Sequence, residues 1–178
     1  MKVSNLLLIA GTGNKSGKTT LACRIIEQFR GKGITGIKIT PHFHETTPGL
    51  NLLVSKPGYS VYEETNGGTD KDTSRMLKAG SGHVYFAKVT DNELMNAFTE
   101  IMKLIPGGTP VVCESPALRH YIEPGLFVIM NSGNANNKDI SDLQRLPHVA
   151  IDLEVLQGID ILPFDYDGKE WIYDEISG

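Results

Sequence analysis

The chain is poor in several things. Its 178 residues include only two cysteines, Cys23 and Cys113, far apart in segments that read as a helix and a buried strand. That excludes a disulfide scaffold and fits a reducing cytoplasm. No apolar run approaches the roughly 20 residues that span a bilayer. The run after Met1-Lys2 is about five residues long and no small-residue cleavage site closes it, so neither a membrane segment nor export is expected. A net charge of -4 gives no general attraction to nucleic acid or anionic membrane. Repeats are absent, and "NSGNANN" is too short to count as low complexity. With 40% hydrophobic and 21% charged residues, what remains reads as one domain over residues 1–178 with one sizeable core.

The pattern along the chain alternates. Leu6 to Ala10 is a continuous apolar run bounded by glycine, as a strand buried on both faces should be. Leu21, Ile25 and Phe29, with Ala22 and Ile26 beside them, mark one face of a helix that stops at Gly31. A second strand is expected over Ile34 to Thr40. Residues 41 to 70 form a long excursion rich in Pro, Gly and Thr. Inside it "NLLVSKPGYSVYEE" reads as a hairpin-like insertion near 51–66, turning at Lys56-Pro57-Gly58. A helix from Asp72 to Ala79 ends at Gly80, and "HVYFAKV" follows as a strand. Thr90 and Glu93 have the spacing of a capping box that opens a helix through Leu94, Phe98 and Ile101. "PVVCE" and "LFVIM", the latter entered through Pro124-Gly125, add two strands, and "HVAIDL" a last interior one. Such alternation predicts an α/β fold with a doubly wound, mostly parallel sheet.

One stretch carries chemistry. "GTGNKSGKTT" lies between the first strand and the first helix, the context a phosphate-binding loop requires. The usual pattern sets a glycine five residues before Gly17; Thr12 stands there, with Gly11 and Gly13 on either side. A ligand-free turn would explain the glycines but not a lysine and two hydroxyls at the helix start. The expected nucleotide-binding residues are Gly13, Asn14, Lys15, Ser16, Gly17, Lys18, Thr19 and Thr20, whose backbone N–H groups cradle the phosphates. Lys18 reaches the β- and γ-phosphates and Thr19 binds Mg²⁺. Lys15 either adds a second cation or points to solvent.

Other candidates follow from strand ends, where ligands of open α/β sheets collect. Glu114 ends an apolar strand and can hold Mg²⁺ or orient the attacking water, which makes Lys18, Thr19 and Glu114 the catalytic candidates and Thr19 and Glu114 the metal ligands. Asn131 ends the next strand and can bond a nucleobase. A guanine-reading Asn-Lys-x-Asp run is absent, since in "NKDI" Ile140 stands where Asp should be, so guanine and adenine both stay open. His42 and His44 share a face if their segment is extended, and form a second candidate metal site beside the reading as solvated loop residues. Asp72, Ser74 and Arg75 open a helix, where the acid serves equally well as a cap. The excursion, with Phe43, Tyr59 and Tyr62, is expected to form a recognition surface.

Taken together, "GTGNKSGKTT", "GIKITPHFH", "KDTSRMLKAG" and "VVCESPALRHYIEPGLFVIM" resemble the MobB family, P-loop proteins similar to dethiobiotin synthetase and the nickel-inserting GTPases. The likeness spans most of residues 5 to 131, and includes Lys38, Lys71, Asp72, Lys78, Ala79 and Gly80. It implies GTP binding with Mg²⁺, slow hydrolysis, and an adaptor role toward a partner protein in molybdenum cofactor biosynthesis, usually as a homodimer. The chain departs from the family in its longer hairpin and in Ser115-Pro116, where MobB proteins have Gly-Phe or Gly-Tyr. The alternatives are an ATP-dependent synthetase acting on a small molecule and a metallochaperone or regulatory switch.

Overall fold

The computed structural model describes residues 1–13, 15–41, 47–131 and 139–174. Three of the candidates above, Asn14, His42 and His44, lie outside the described residues, as does Phe43. In chain order the elements are β1 (Lys2–Gly11), α1 (Lys18–Gln28), β2 (Thr35–Thr40), β3 (Leu50–Lys56), β4 (Tyr59–Glu64), α2 (Asp72–Ala79) and β5 (His83–Val89). There follow α3 (Leu94–Leu104), β6 (Val111–Glu114), β7 (Glu123–Asn131), α4 (Ser141–Gln144), β8 (Val149–Asp152), α5 (Leu153–Gly158), β9 (Phe164–Tyr166) and β10 (Trp171–Tyr173).

Eight strands form one mixed, mostly parallel sheet in the order β3-β4-β5-β2-β6-β1-β7-β8. The run from β5 to β8 is parallel, and the β3–β4 hairpin adds two antiparallel strands beyond β5. β1 sits inside this sheet with Leu6 to Ala10 fully buried, which is why its sequence does not alternate. One face packs Phe98 and Ile101 of α3 against Leu6, Leu8 and Cys113. The other packs Leu21, Ile25 and Ile26 of α1 with Met76 of α2 against Leu7, Ile9 and Val112. β9 and β10 form a separate hairpin whose Trp171 closes this second face, its Nε1–H donating to the carbonyl oxygens of Asn5 (3.0 Å) and Val111 (3.2 Å).

Several expectations need correction. β8 is an edge strand rather than an interior one, since only β7 pairs with it. Pro124 and Gly125 lie within β7 and do not precede it; Gly125 passes so close to β1 that a Cβ there would lie 1.9 Å from the Ser4 carbonyl oxygen. Thr90 makes no side-chain cap. The Glu93 N–H bonds the Thr90 carbonyl instead, in a single 3₁₀ turn ahead of α3. The hairpin turns at Gly58 (φ 82°) as expected, but it is no appendage. β4 pairs with β5 from Tyr59 to Glu63, and Tyr59 and Val61 are buried in the core, so Tyr59 is unavailable for recognition.

Candidate functional site

The carboxyl ends of β1, β2 and β6, which are neighbours in the sheet, converge beside the start of α1. The loop between β1 and α1 is tight. Gly17 takes a left-handed conformation (φ 91°), and a Cβ on it would lie 2.7 Å from Leu153 Cδ1, so α5 closes directly over the loop. Gly11 leaves no room either: its Cβ would fall 2.2 Å from Ser16 Oγ. Lys15 is the one non-glycine residue with positive φ (62°) among those described. The Thr12 N–H bonds the Met130 carbonyl at 3.0 Å and ties the loop to β7.

Lys18, the first residue of α1, folds back into this loop. Its ammonium donates to the Gly13 carbonyl (2.7 Å) and to Ser16 Oγ (3.1 Å). α1 begins without a side-chain cap and without an acid in its first turn, and its leading N–H groups and positive dipole end face the loop. An anion is the natural complement of such an end.

Behind the loop stands a chain of charges. Thr19 Oγ1 donates to Glu114 Oε2 at 2.8 Å, and Lys38 Nζ donates to Glu114 Oε1 at 2.7 Å and to Asp72 Oδ2 at 2.5 Å. β6 supplies Glu114, β2 supplies Lys38 and α2 supplies Asp72; Lys38 and Glu114 are register partners, which puts both side chains on the α1 face. The Glu114 side chain is 5% exposed and that of Lys38 19%. Burial alone would lower the Lys38 pKa, but Glu114 and Asp72 together outweigh it and raise it above the ordinary lysine value. For Asp72, burial pulls upward and the Lys38 ammonium, with hydrogen bonds from Lys38 and Thr19, wins and lowers it. The Cys23 thiol is pushed up to about 11 by burial, and that of fully buried Cys113 is raised as well, so neither supplies a thiolate near neutrality.

The expected residues distribute unequally. Lys15, Ser16, Gly17, Lys18, Thr19 and Thr20 line a cavity of about 460 Å³ together with Lys38, Asp72 and Glu114. Arg75, Leu153 and Gln157 are the other described residues that line it. Gly13 lines a second cavity of about 420 Å³, which shares Lys18, Lys38 and Glu114 with the first. Asn131 ends β7 half-buried and lines neither cavity. Ser74 holds the turn before α2, accepting from the Thr69 N–H and donating to the Asn66 carbonyl.

Sequence reasoning left Asp72 open between a cap and a site residue. α2 has no side-chain cap, and the carboxylate goes to Lys38. Lys38 entered only through a family likeness, although a lysine inside an apolar strand is itself a signal, because a buried ammonium needs carboxylate partners. The contribution of α5 had no signal in the sequence, because packing alone brings Leu153 and Gln157 over the loop. No protein-family model, curated protein or solved structure matches this chain.

Proposed function

We propose that the chain is a P-loop nucleoside triphosphatase that binds a Mg²⁺-nucleotide, GTP in preference to ATP, and hydrolyses it slowly. Its role by sequence resemblance is that of the MobB adaptors in molybdenum cofactor biosynthesis. One observation carries the nucleotide reading: a lysine ammonium sits inside a glycine-rich loop at an uncapped helix start, with the Thr19–Glu114 pair directly behind it. The MobB role and the preference for GTP rest on the resemblance.

In this reading Lys18 exchanges the Gly13 carbonyl for β- and γ-phosphate oxygens, and the N–H groups from Gly13 to Thr20 cradle the polyphosphate. Thr19 and Glu114 offer adjacent oxygen donors, which suits a hard cation, and Mg²⁺ held there would neutralise phosphoryl charge. Lys38 keeps Glu114 in place, and Asp72 shares the Lys38 charge.

Calorimetric titration with GTP and ATP side by side, with Mg²⁺ present, tests the reading; Lys18→Ala should remove binding from a protein that remains folded. A second reading, a nucleotide-dependent synthetase acting on a small molecule, is favoured by the cavity adjoining the lysines. Turnover that rises with a small acceptor supports the synthetase, and slow turnover indifferent to every acceptor supports the adaptor.

A further inference from the structure

The loop cavity has two different ends. On one face of the sheet α1 lies over β1 and β6, α2 over β2 and β5, and α5 beside β8, so α2 and α5 flank α1 from opposite sides. α5 brings Leu153 and Gln157 to the cavity, and α2 brings Asp72 and, nearly one turn further on, Arg75. Thr19 and Glu114 bond each other, and Lys38 ties Glu114 to Asp72. The candidate metal donors therefore belong to the α2 end.

Nothing in the fold employs the Arg75 side chain. The residue is half-buried, and its backbone N–H closes the first turn of α2 on the Lys71 carbonyl at 2.9 Å. Its guanidinium makes no hydrogen bond or ion pair with any described residue. Asp72, three residues before it, would be the natural ion partner on a helix, but that carboxylate goes to Lys38 at 2.5 Å. The charge is still felt across the groove. Burial raises the Cys23 thiol, and Arg75 is the charge that most opposes it; Cys23 stands one turn after Thr19 on α1, which sets the guanidinium beside the metal end.

The charges around the cavity do not balance either. Among the described lining residues Lys15, Lys18, Lys38 and Arg75 meet only Asp72 and Glu114, and Lys38 already serves both carboxylates. A surplus of cations in a cavity calls for an anion. The planar guanidinium fork matches phosphate oxygens two at a time, which a lysine cannot do.

We propose that Arg75 is an arginine supplied in cis to the terminal phosphate of a nucleoside triphosphate, binding its oxygens and stabilising the charge that shifts during hydrolysis. Mg²⁺ bridges the β- and γ-phosphates in sites of this kind, so the metal end is where the terminal phosphate lies. In the reaction a water oxygen bonds to the γ-phosphorus, and the bond from that phosphorus to the β–γ bridging oxygen breaks with its electron pair left on the diphosphate. One water proton stays on the released phosphate and the other goes to solvent. The assignment rests on the nucleotide reading above and adds to it a residue outside the loop.

The test is calorimetric binding, with Mg²⁺, of the imido analogues of GTP and ATP against GDP and ADP, for the native chain, Arg75→Ala and Arg75→Lys, with single-turnover hydrolysis alongside. Arg75→Ala should weaken the triphosphate analogue about tenfold, the scale of hydrogen bonds to a charged group, and leave the diphosphate within about twofold. Hydrolysis should slow about a hundredfold, as when one preorganised donor to the transition state is removed. Arg75→Lys should recover part of the loss, because it keeps the charge without the fork. Thermal melts of both variants should match the native chain, since the guanidinium holds no described residue, and the diphosphate affinity is the internal control. Triphosphate affinity that does not fall relative to diphosphate affinity in Arg75→Ala would overturn the assignment and leave the nucleotide reading intact. No binding of any of these nucleotides to the native chain would overturn the nucleotide reading and the assignment together.

Discussion

The centre of the sheet and its outer hairpin solve opposite problems. Where β1, β2 and β6 end, four polar side chains from four elements converge, and Thr19, Lys38, Asp72 and Glu114 bond one another. At the other edge, β4 buries Tyr59 and Val61 while the outermost strand β3 leaves Leu52 and Leu53 52% and 39% exposed. Buried charge is tolerable at the centre because each charge finds a partner from another strand or helix. The hairpin contributes mainly apolar packing, and its buried carboxylate Glu64 accepts from the Thr73 hydroxyl and the Asn66 N–H rather than from a cation. The difference lies in the partners: at the strand ends a carboxylate is neutralised by a lysine, whereas in the hairpin it is held by uncharged donors.

The comparison can be broken most severely at Lys38. Lys38→Met leaves the buried Glu114 carboxylate without its cation, and should cost about 3–5 kcal/mol in urea unfolding. A loss below about 1 kcal/mol, the scale of an exposed pair, would mean that the central charges are not a buried network. At the other region, Val61→Ala should cost about 2 kcal/mol, the scale of a core cavity without collapse. Replacing residues 51 to 66 by a short linker should therefore destabilise the fold by exposing β5, contrary to what a removable insertion would do. Leu52→Ser on β3 should stay within about 0.5 kcal/mol, as exposed substitutions do.

Most of the framework was legible in the sequence, for physical reasons that differ from element to element. The unbroken apolar run of β1 announced burial on both faces, and the left-handed Gly80 (φ 116°) marked the end of α2. The edge position of β8 was not legible, because "HVAIDL" carries the apolar content of an interior strand and only pairing decides its place. β9 and β10 went unread: each is three residues long, too short for a period to show. At the site, the loop residues followed from spacing, whereas Asp72 could not be separated from a cap until α2 was placed beside Lys38. The nucleobase contact expected from Asn131 gains no support, as α5 rather than the end of β7 closes the loop cavity.

Titration sharpens the central half of the comparison. Asp72 has its pKa lowered in the fold, so its stabilising contribution is complete above the ordinary carboxylate value and is lost as pH falls through and below it. Lys38 has its pKa raised, so its contribution is complete below the ordinary lysine value and is lost as pH climbs above it. Asp72→Asn should accordingly flatten the acid limb of the stability profile, by a modest amount because the Asp72 side chain is 40% exposed. An acid limb unchanged in that variant would assign acid unfolding to other carboxylates.

The measurement that bears most directly on the central claim is equilibrium binding of GTP with Mg²⁺ to the native chain and to Lys18→Ala, alongside their melting curves. The account predicts saturable binding to the native protein, a loss of at least about a hundredfold in the variant, the scale of a charge-assisted phosphate contact removed from a closed site, and similar melting temperatures for both. Saturable binding of equal strength to both proteins, or no binding of GTP or ATP to the native chain, would contradict it.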